Sequence, residues 1–256
     1  ITSTLKMPIS IGLQTVRHLD IRDLLQKVNK FELSAFEIFF DSFRPRDIKI
    51  QVKKHLRPLI DNPEFTFTVH APIICPSKST WLDIMTNCLE FAGQYRAKLL
   101  TIHPSLNISR FISKVISLIK FTLKEFKDIK ICIENTPSTS AEMINQVFNK
   151  LKKYENIGLT FDIGHSQLAP MTNNSSETSA IEYLRLLEGP ILECHVHTNR
   201  GKKDEHLSIR NNSGIIDIRR IIHILTEEKK FEGPYIFEYY RKNMEKDVEL
   251  LKELLK

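Results

Sequence analysis

Residues 99–105 read LLTIHPS and residues 131–137 read ICIENTP, and an amphipathic stretch, 109–127, lies between them. The two apolar runs are typical of β-strands, whereas the stretch between them has its apolar residues at helical spacing. A strand, a helix and a second strand in this order predict two parallel strands joined by a right-handed crossover. Each strand also ends in a side chain able to bind a metal, His103 in the first and Glu134 in the second.

The same alternation continues along the whole chain. It predicts strands at 9–14, 35–40, 65–71, 98–103, 130–135, 158–163, 191–197 and 235–240, and helices at 21–31, 46–60, 80–96, 109–127, 140–154, 180–188, 217–230 and 244–255. Eight such units close most naturally into a (β/α)8 barrel, which commonly takes about 250 residues. We therefore predict an α/β protein with a single TIM-barrel domain over residues 1–256. The alternative is an open doubly wound sheet, but no glycine-rich phosphate-binding turn follows the first strand, and Gly12 lies inside that strand.

The composition excludes several classes of protein. The chain is 41% apolar and has no apolar run of 18 residues, so it predicts one sizeable core and no membrane-spanning helix. Residues 1–10, ITSTLKMPIS, lack the basic region and the long apolar stretch of a signal peptide. The four cysteines form no CxxC pair, which favours a reducing compartment, and we predict a cytoplasmic protein. The net charge of +6 permits a polyanionic or phosphorylated partner, although a lysine-rich surface explains it at least as well.

Acidic residues and histidines stand at or just after the ends of the predicted strands from the third onwards. In a parallel barrel these strand ends converge, so side chains placed there can meet at one site. The set comprises His70, His103, Glu134, Asp162, His165, His195, Asp204, His206 and Glu238. A single strand-end histidine is more often structural than functional. Nine such residues in order predict a multinuclear metal site and an enzyme.

Strand parity predicts which side chains line the barrel, because residues two apart in a strand share a face. His70 shares its face with Thr68, and His195 shares its face with His197. Glu37, in the second strand, is predicted to point inward as well. Barrel interiors are usually filled by Val, Ile and Leu, and buried charged groups need a metal or a partner. The polar interior therefore indicates bound cations.

A mixed set of imidazoles and carboxylates suits Zn²⁺, Mn²⁺ or Mg²⁺, and its histidine content favours zinc or manganese. Four members come from strands five to eight, namely Glu134, Asp162, His195 and Glu238. A carboxylate such as Glu134 can bridge two cations about 3.5–4 Å apart, the arrangement used for phosphoester displacement.

The remaining histidines and one cysteine are interpreted differently. His197 faces inward and suits substrate binding or support of a ligand as well as metal binding. Three histidines lie on or beside predicted helices and are interpreted as structural or surface residues: His18, His55 and His223. Cys132, one layer below Glu134, is predicted to pack in the core.

Six short motifs carry a resemblance to a known family: VHAP at 69–72, HPS at 103–105, IEN at 133–135, FDIGH at 161–165, HVH at 195–197 and DEHL at 204–207. They resemble the xylose isomerase-like TIM-barrel superfamily and, within it, the apurinic endonuclease family 2 proteins of the endonuclease IV type. In endonuclease IV-like proteins this set holds three zinc ions. The resemblance therefore implies two or three zinc ions on the nine residues named above, all of which have the expected type.

The resemblance implies two different chemistries. Endonuclease IV-like members cleave the phosphodiester 5′ to an abasic site in DNA with a metal-activated hydroxide. The sugar isomerases and epimerases use one Mn²⁺- or Mg²⁺-type ion, and their residues equivalent to Glu134 and Glu238 move a proton next to a carbonyl.

The chain departs from the endonuclease pattern at particular positions. Ile73 replaces an aromatic residue associated with DNA insertion, and Gln14 stands where the endonuclease group has a histidine. Glu37, in AFEIFF, is more similar to the sugar enzymes. With His197, these two polar residues, Gln14 and Glu37, are candidates for substrate binding.

Three hypotheses follow for the function. The first is a multinuclear zinc hydrolase of phosphoesters, with abasic DNA as a candidate partner and with Glu134 and Glu238 as catalytic residues. It is favoured by the five residues that a one-metal isomerase does not need, which are His70, His103, His165, Asp204 and His206. The second is an isomerase or epimerase of a sugar or phosphorylated sugar, with Glu134 and Glu238 as its acid–base pair. The third is a metal-binding barrel that has lost catalysis. We predict the hydrolase.

Overall fold

The computed structural model describes residues 10–16, 20–41, 52–169, 179–240 and 244–256. Eight parallel strands within these ranges close into a barrel in chain order, with the first strand paired to the eighth. The strands are β1 (Ile11–Gln14), β2 (Ala35–Phe39), β3 (Thr66–His70), β4 (Leu99–Ile102), β5 (Lys130–Glu134), β6 (Ile157–Asp162), β7 (Ile191–Val196) and β8 (Tyr235–Phe237). The predicted (β/α)8 barrel is confirmed, and every predicted strand overlaps its counterpart.

Helices connect successive strands. In the described ranges they are α1 (Ile21–Lys30), α2 (Arg57–Ile60, after a π-helical turn at Val52–Leu56), α3 (Trp81–Gln94), α4 (Ile108–Glu125), α5 (Ala141–Leu151), α6 (Ile163–Leu168), α7 (Ala180–Leu186), α8 (Ile218–His223, continued by a π-helical turn at Ile224–Glu228) and α9 (Met244–Leu254). The short helix α6 was not predicted. Among the described residues, no helix combines the length and apolarity needed to cross a bilayer. The predictions for residue 9, for 46–51 and for His18 fall outside the described ranges.

Side chains that cap helix N-termini fix where several helices begin. The Asn107 side chain accepts a hydrogen bond from the backbone N–H of Arg110 at the start of α4. Asp162 caps α6 in the same way and accepts from the backbone N–H of His165. Such a cap pairs a backbone N–H that the helix itself leaves unsatisfied. At α6 the cap also fixes the orientation of one predicted metal ligand.

The main hydrophobic core lies between the outer face of the barrel and the helices. Val69, Ile133 and Phe161 point outward from their strands and are fully buried, as are Phe111 and Leu118 on α4. Burying a side chain of this size stabilises the fold by about 1.5–3 kcal/mol. This core fixes the strands, so the opposite faces of the same strands are free to carry polar side chains.

The interior of the barrel is polar, in agreement with strand parity. Glu37, Thr68, Thr101, Thr160 and Glu193 are all at most 1% exposed. Thr101 Oγ1 donates to Glu193 Oε2 at 2.8 Å and lies 2.8 Å from the hydroxyl oxygen of Thr160. A hydrogen-bonded polar layer therefore lies beneath the strand ends, where barrels of this type usually carry branched apolar residues.

The pairing of β6 with β7 contains a register shift. Between Leu159 and Thr160 the pairing skips one residue of β7, as in a β-bulge. Asp162 therefore stands opposite His195. In a continuous register Asp162 would stand opposite Cys194, whose side chain points away from the barrel interior. The shift thus aligns two predicted ligands on neighbouring strands.

Candidate metal centre

The structure gathers all nine predicted ligands at the carboxyl end of the barrel. Each has a side-chain nitrogen or oxygen within 3.5 Å of a side-chain oxygen or nitrogen of another member. The ligands from β3 to β8 meet here because parallel strands present the same end to one side of the barrel. Asp204 and His206 reach the group from the loop after β7.

Glu134, at the end of β5, occupies the middle of the innermost group. Its Oε2 lies 2.7 Å from His70 Nε2 and 2.7 Å from His103 Nε2. Its other oxygen, Oε1, lies 3.3 Å from His195 Nδ1 and 3.4 Å from His165 Nδ1. The two carboxylate oxygens thus face different pairs of imidazoles, which is the arrangement of a carboxylate that bridges two cations.

His195, on β7, connects this innermost group to two further carboxylates. Its Nδ1 lies 3.0 Å from Glu238 Oε1 and 3.9 Å from Asp162 Oδ2. Its opposite ring nitrogen, Nε2, lies 3.2 Å from Glu37 Oε1 in the polar layer below. One nitrogen therefore faces the candidate ligands, while the other faces a carboxylate that can orient the ring.

An outer group forms around Asp204. Its Oδ2 lies 3.1 Å from His165 Nε2 and 2.9 Å from His206 Nε2. His206 Nδ1 lies 3.2 Å from the backbone oxygen of Glu238, and its backbone adopts a positive φ of 45°. Non-glycine residues rarely adopt such a φ, and they do so mostly at turns and functional sites. The turn directs the His206 ring towards β8 and the other ligands.

Asn135, which the sequence did not predict as a site residue, is hydrogen-bonded to Asp162 and lies beside His165. Its side-chain nitrogen donates to the backbone oxygen of Asp162 at 2.9 Å, and its side-chain oxygen accepts from the Asp162 N–H at 2.8 Å. The backbone oxygen of Asn135 lies 3.0 Å from His165 Nδ1. The only sequence signal was its position directly after Glu134 in the IEN motif.

Gln14 and Glu37, predicted as substrate-binding candidates, lie within the buried network. Gln14 Nε2 donates to Glu37 Oε1 at 2.9 Å and to Glu238 Oε1 at 2.7 Å. Burial, followed by the nearby carboxylate of Glu193, raises the pKa of Glu37 to about 7. The structure therefore places both residues where they support the ligands, with Gln14 linking the polar layer to Glu238.

The other predicted residues are distributed as follows. Cys132 is fully buried below Glu134. His55 and His223 lie on helical segments away from the strand ends, and His223 is exposed. Ile73 is 62% exposed in the segment after β3.

The buried carboxylates alter the pKa values of the histidines beside them. Burial acts to lower the pKa of His70, but the carboxylate of Glu134 outweighs this and raises it to about 9. Burial likewise acts to lower the pKa of His206, but its hydrogen bond to Asp204 raises it to about 9. Burial acts to raise the pKa of Glu134, yet the surrounding histidines, His103 first, hold it well below its usual range. In each case the oppositely charged neighbour prevails over desolvation.

The donor set fits divalent cations. Ligand atoms of His70, Glu134, His195 and Glu238 lie within 4.8 Å of one another. Four further groups of this kind among the described residues also include predicted ligands. Three buried atoms of the set make no hydrogen bond of acceptable geometry among the described residues, namely His103 Nε2 (despite its 2.7 Å approach to Glu134), His195 Nε2 and Glu238 Oε2. Buried polar atoms without a partner are costly, and a bound cation would neutralise the carboxylates among them. Imidazole and carboxylate donors of this kind suit zinc or manganese.

Metal binding is expected to release protons at neutral pH. With pKa values of about 9, His70 and His206 carry protons at pH 7 in the metal-free protein, and a cation binds only the neutral ring. Adding zinc to metal-free protein at pH 7 should therefore acidify a weakly buffered solution, and the zinc affinity should rise as the pH approaches 9. An indicator dye measures the release. No acidification during a titration that fills the site would contradict the assignment of these histidines.

Comparison with known proteins assigns the chain to a family. The family model described as xylose isomerase-like TIM barrel, AP_endonuc_2, matches residues 25–255. An uncharacterized protein of Methanocaldococcus jannaschii, MJ1311, is 26% identical over 264 residues, which cover 90% of this chain and 83% of that protein. The match thus extends over almost the whole barrel.

Solved structures share the same fold. A D-tagatose 3-epimerase-like protein is 23% identical, with a TM-score of 0.74 and coverage of 96% of this chain and 97% of the other. Endonuclease IV from Thermus thermophilus is 13% identical, with a TM-score of 0.67 and coverage of 96% and 98%. At these identities the likeness concerns the barrel and does not distinguish between the two reactions.

Proposed function

The chain belongs to the xylose isomerase-like TIM barrel family, and from this premise we propose that it is a multinuclear zinc hydrolase of phosphoesters. The substrate class is a phosphodiester, with DNA that carries an abasic site as the candidate to test first. Glu134 and Glu238 are the proposed catalytic residues. The proposal rests on the number of ligands and on their continuity across the site.

The outer group supports hydrolysis over isomerisation. Asp204 lies 3.1 Å from His165 and 2.9 Å from His206. The group connects to the inner group through His165, which faces Glu134, and His206, which faces Glu238. A one-metal isomerase requires neither this group nor the pair of histidines on Glu134 Oε2. This surplus of assembled ligands is the single observation that carries the proposal.

The loop that brings Asp204 to the site also carries positive charge. Lys202 and Lys203 directly precede Asp204 and are exposed, whereas Arg200 pairs with Glu205 at 2.9 Å. Exposed lysines beside a cleft attract anionic substrates and raise the rate of encounter. A phosphoester would therefore meet positive charge at the edge of the site.

Some residues around the site would hold the cations, and others would orient the reacting groups. Bound divalent cations would polarise a phosphoryl oxygen and neutralise the charge that develops on it. Glu134 would help to hold the inner cations, since one of its oxygens faces His70 and His103 and the other faces His165 and His195. Gln14 donates to Glu238 Oε1, which leaves Oε2 of this carboxylate to accept a hydrogen bond from an attacking water. Although burial acts to raise the pKa of Glu238, the neighbouring His195 keeps it well below its usual range, so Glu238 accepts and does not donate.

Incision of a defined duplex tests the reaction. Zinc-loaded protein is expected to cut a labelled DNA duplex at a single abasic site, on its 5′ side, and EDTA should abolish the cut. A matched duplex without the lesion serves as the control. If a fully metal-loaded protein produces no incision above the EDTA control, abasic DNA is rejected as the substrate.

The second candidate is a sugar or sugar-phosphate isomerase or epimerase. It is favoured by the same pair of glutamates, since Glu134 and Glu238 both approach His195 Nδ1, within 3.3 Å and 3.0 Å. In that case one Mn²⁺- or Mg²⁺-type ion per chain would suffice, and deuterium from solvent should enter the carbon next to a ketose carbonyl. Metal content measured after purification without chelators separates the two candidates, because the hydrolase requires two or three ions.

A further inference from the structure

His197 is a buried histidine in which one ring nitrogen is hydrogen-bonded and the other has no hydrogen-bond partner among the described residues. It follows β7 directly and is fully buried. Its Nε2 lies 3.1 Å from each carboxylate oxygen of Asp162. Its Nδ1 has no hydrogen-bond partner among the described residues and lies 3.9 Å from Asp204 Oδ1. A neutral ring that donates from Nε2 to Asp162 carries its lone pair on Nδ1, so a buried acceptor remains without a donor.

The unpaired nitrogen faces the outer group. Ligand atoms of His165, His197, Asp204 and His206 all lie within 4.8 Å of one another. The His197 ring stacks on the ring of His206 with 4.2 Å between centroids and an angle of 1° between planes. It also meets the ring of His165 edge-on at 5.8 Å. His197 is therefore packed directly against two of the three predicted outer ligands.

Glycine at position 164 makes room for this ring. A Cβ atom on Gly164 would lie 1.9 Å from the Cε1 atom of His197, which no side chain could tolerate. Asn199 Nδ2 donates to the backbone oxygen of Gly164 at 2.8 Å and holds the turn of α6 against the ring. The backbone of α6 and the stacked His206 thus confine the imidazole on two sides. Close approach to another group is a common reason for glycine inside a helix.

We infer that His197 is a fourth protein ligand of the outer cation, binding through Nδ1 while its Nε2–H donates to the Asp162 carboxylate. This is the usual arrangement of a ligating histidine, whose second nitrogen is fixed by a carboxylate. With His165, Asp204 and His206 it completes four donors, and a zinc ion with four protein ligands is closed to solvent and structural. The open position for chemistry would then lie in the inner group, around Glu134.

The inference rests on the proposed metal centre. Whether His197 binds a cation does not depend on which reaction the protein catalyses. The inference assigns the outer cation to fixing the loop after β7, which carries Asp204 and His206. A site with three histidines and one carboxylate should favour zinc or cobalt over magnesium, because imidazole is a poor ligand for magnesium.

Cobalt titration tests the ligand. Four-coordinate Co²⁺ absorbs visible light much more strongly than five- or six-coordinate Co²⁺. When the wild-type protein is titrated with Co²⁺, filling of the outer site should therefore produce a large increase in visible absorption. In His197→Asn this increase should disappear, and the matching cobalt ion should bind at least about tenfold more weakly. His197→Gln, which keeps a donor for Asp162, should lose the same increase. The control is His223→Asn on α8, which should titrate like the wild type.

Gly164→Ala provides an independent variant, because it retains every donor and displaces only the ring. It should change the same increase in absorption even if the substitutions at His197 do not fold. Wild-type cobalt stoichiometry, affinity and spectrum in all the folded variants would overturn the inference and leave the metal centre intact. A spectrum that depends on His197, in a protein that cuts no phosphoester, would support the inference and reject the reaction. No cobalt binding by the wild type would reject both.

Discussion

Replacing Glu134 by Gln is expected to reduce the metal content by at least one ion per chain and to lower activity at least about a thousandfold. The carboxylate faces four imidazoles, with His70 and His103 both 2.7 Å from its Oε2. A neutral amide removes the charge and leaves one weak acceptor, so it cannot bridge two cations. Polarisation by a bound metal contributes several kcal/mol to such reactions, and each 1.36 kcal/mol corresponds to a factor of about ten in rate.

The matched control for this substitution is Glu142→Gln, which makes the same chemical change at an exposed position in the first turn of α5. Metal content measured by mass spectrometry gives the first result and requires no substrate. Incision of the abasic duplex gives the second. A Glu134→Gln protein with a full metal complement would remove the basis for placing Glu134 at the centre of the site.

Removal of the metal is expected to cause the largest loss of stability. Without cations, Glu134, Asp162 and Glu238 are carboxylates held close together with at most 8% exposure. A ligand present at a thousand times its dissociation constant stabilises the folded state by about 4 kcal/mol for each site. For a chain of this size, 1 kcal/mol shifts the melting temperature by roughly 2–4 °C. Chelation should therefore lower it by about 8–16 °C for each tight site that is emptied.

Thermal unfolding followed by circular dichroism measures this effect in the presence of zinc, after EDTA, and after zinc is restored. The Glu134→Gln variant serves as the comparison, because it should respond much less to chelation. Identical melting temperatures with and without metal in the wild type would show that the buried carboxylates are neutralised by some other means.

Periodicity predicted the fold because each of its signals is local. The strands and most helices follow from the alternation of short apolar runs with amphipathic stretches, and parity correctly predicted that Glu37 and Thr68 are buried inside the barrel. The helix α6 was missed because its six residues, IGHSQL, are too few to show a helical period. Its start depends on the Asp162 cap, which only the turn of the backbone reveals.

The candidate site was predictable as a set of residues but not as an arrangement. The order of acids and histidines indicated convergence, yet nothing in the sequence showed which oxygen of Glu134 faces which imidazole. Asn135 acts through hydrogen bonds to the backbone of Asp162, and Gly164 acts by leaving space for the His197 ring. Neither residue is charged or belongs to a periodic pattern, so the sequence did not indicate them. His197 was recognised as inward-facing, but its partners on α6 and in the loop after β7 required the structure.

The surplus residue in β7 has an evolutionary consequence. Because the pairing already skips one position between Ile191 and Glu193, a deletion of Leu192 would remove the bulge and leave the partners of Glu193 and His195 unchanged. A deletion between His195 and His197 would instead turn one of the two histidines away from the others. Among related barrels, a gap at 192 is therefore compatible with an intact centre. A gap between the two histidines would instead place them on opposite faces of the strand, so the centre would be incomplete even if every other ligand were retained.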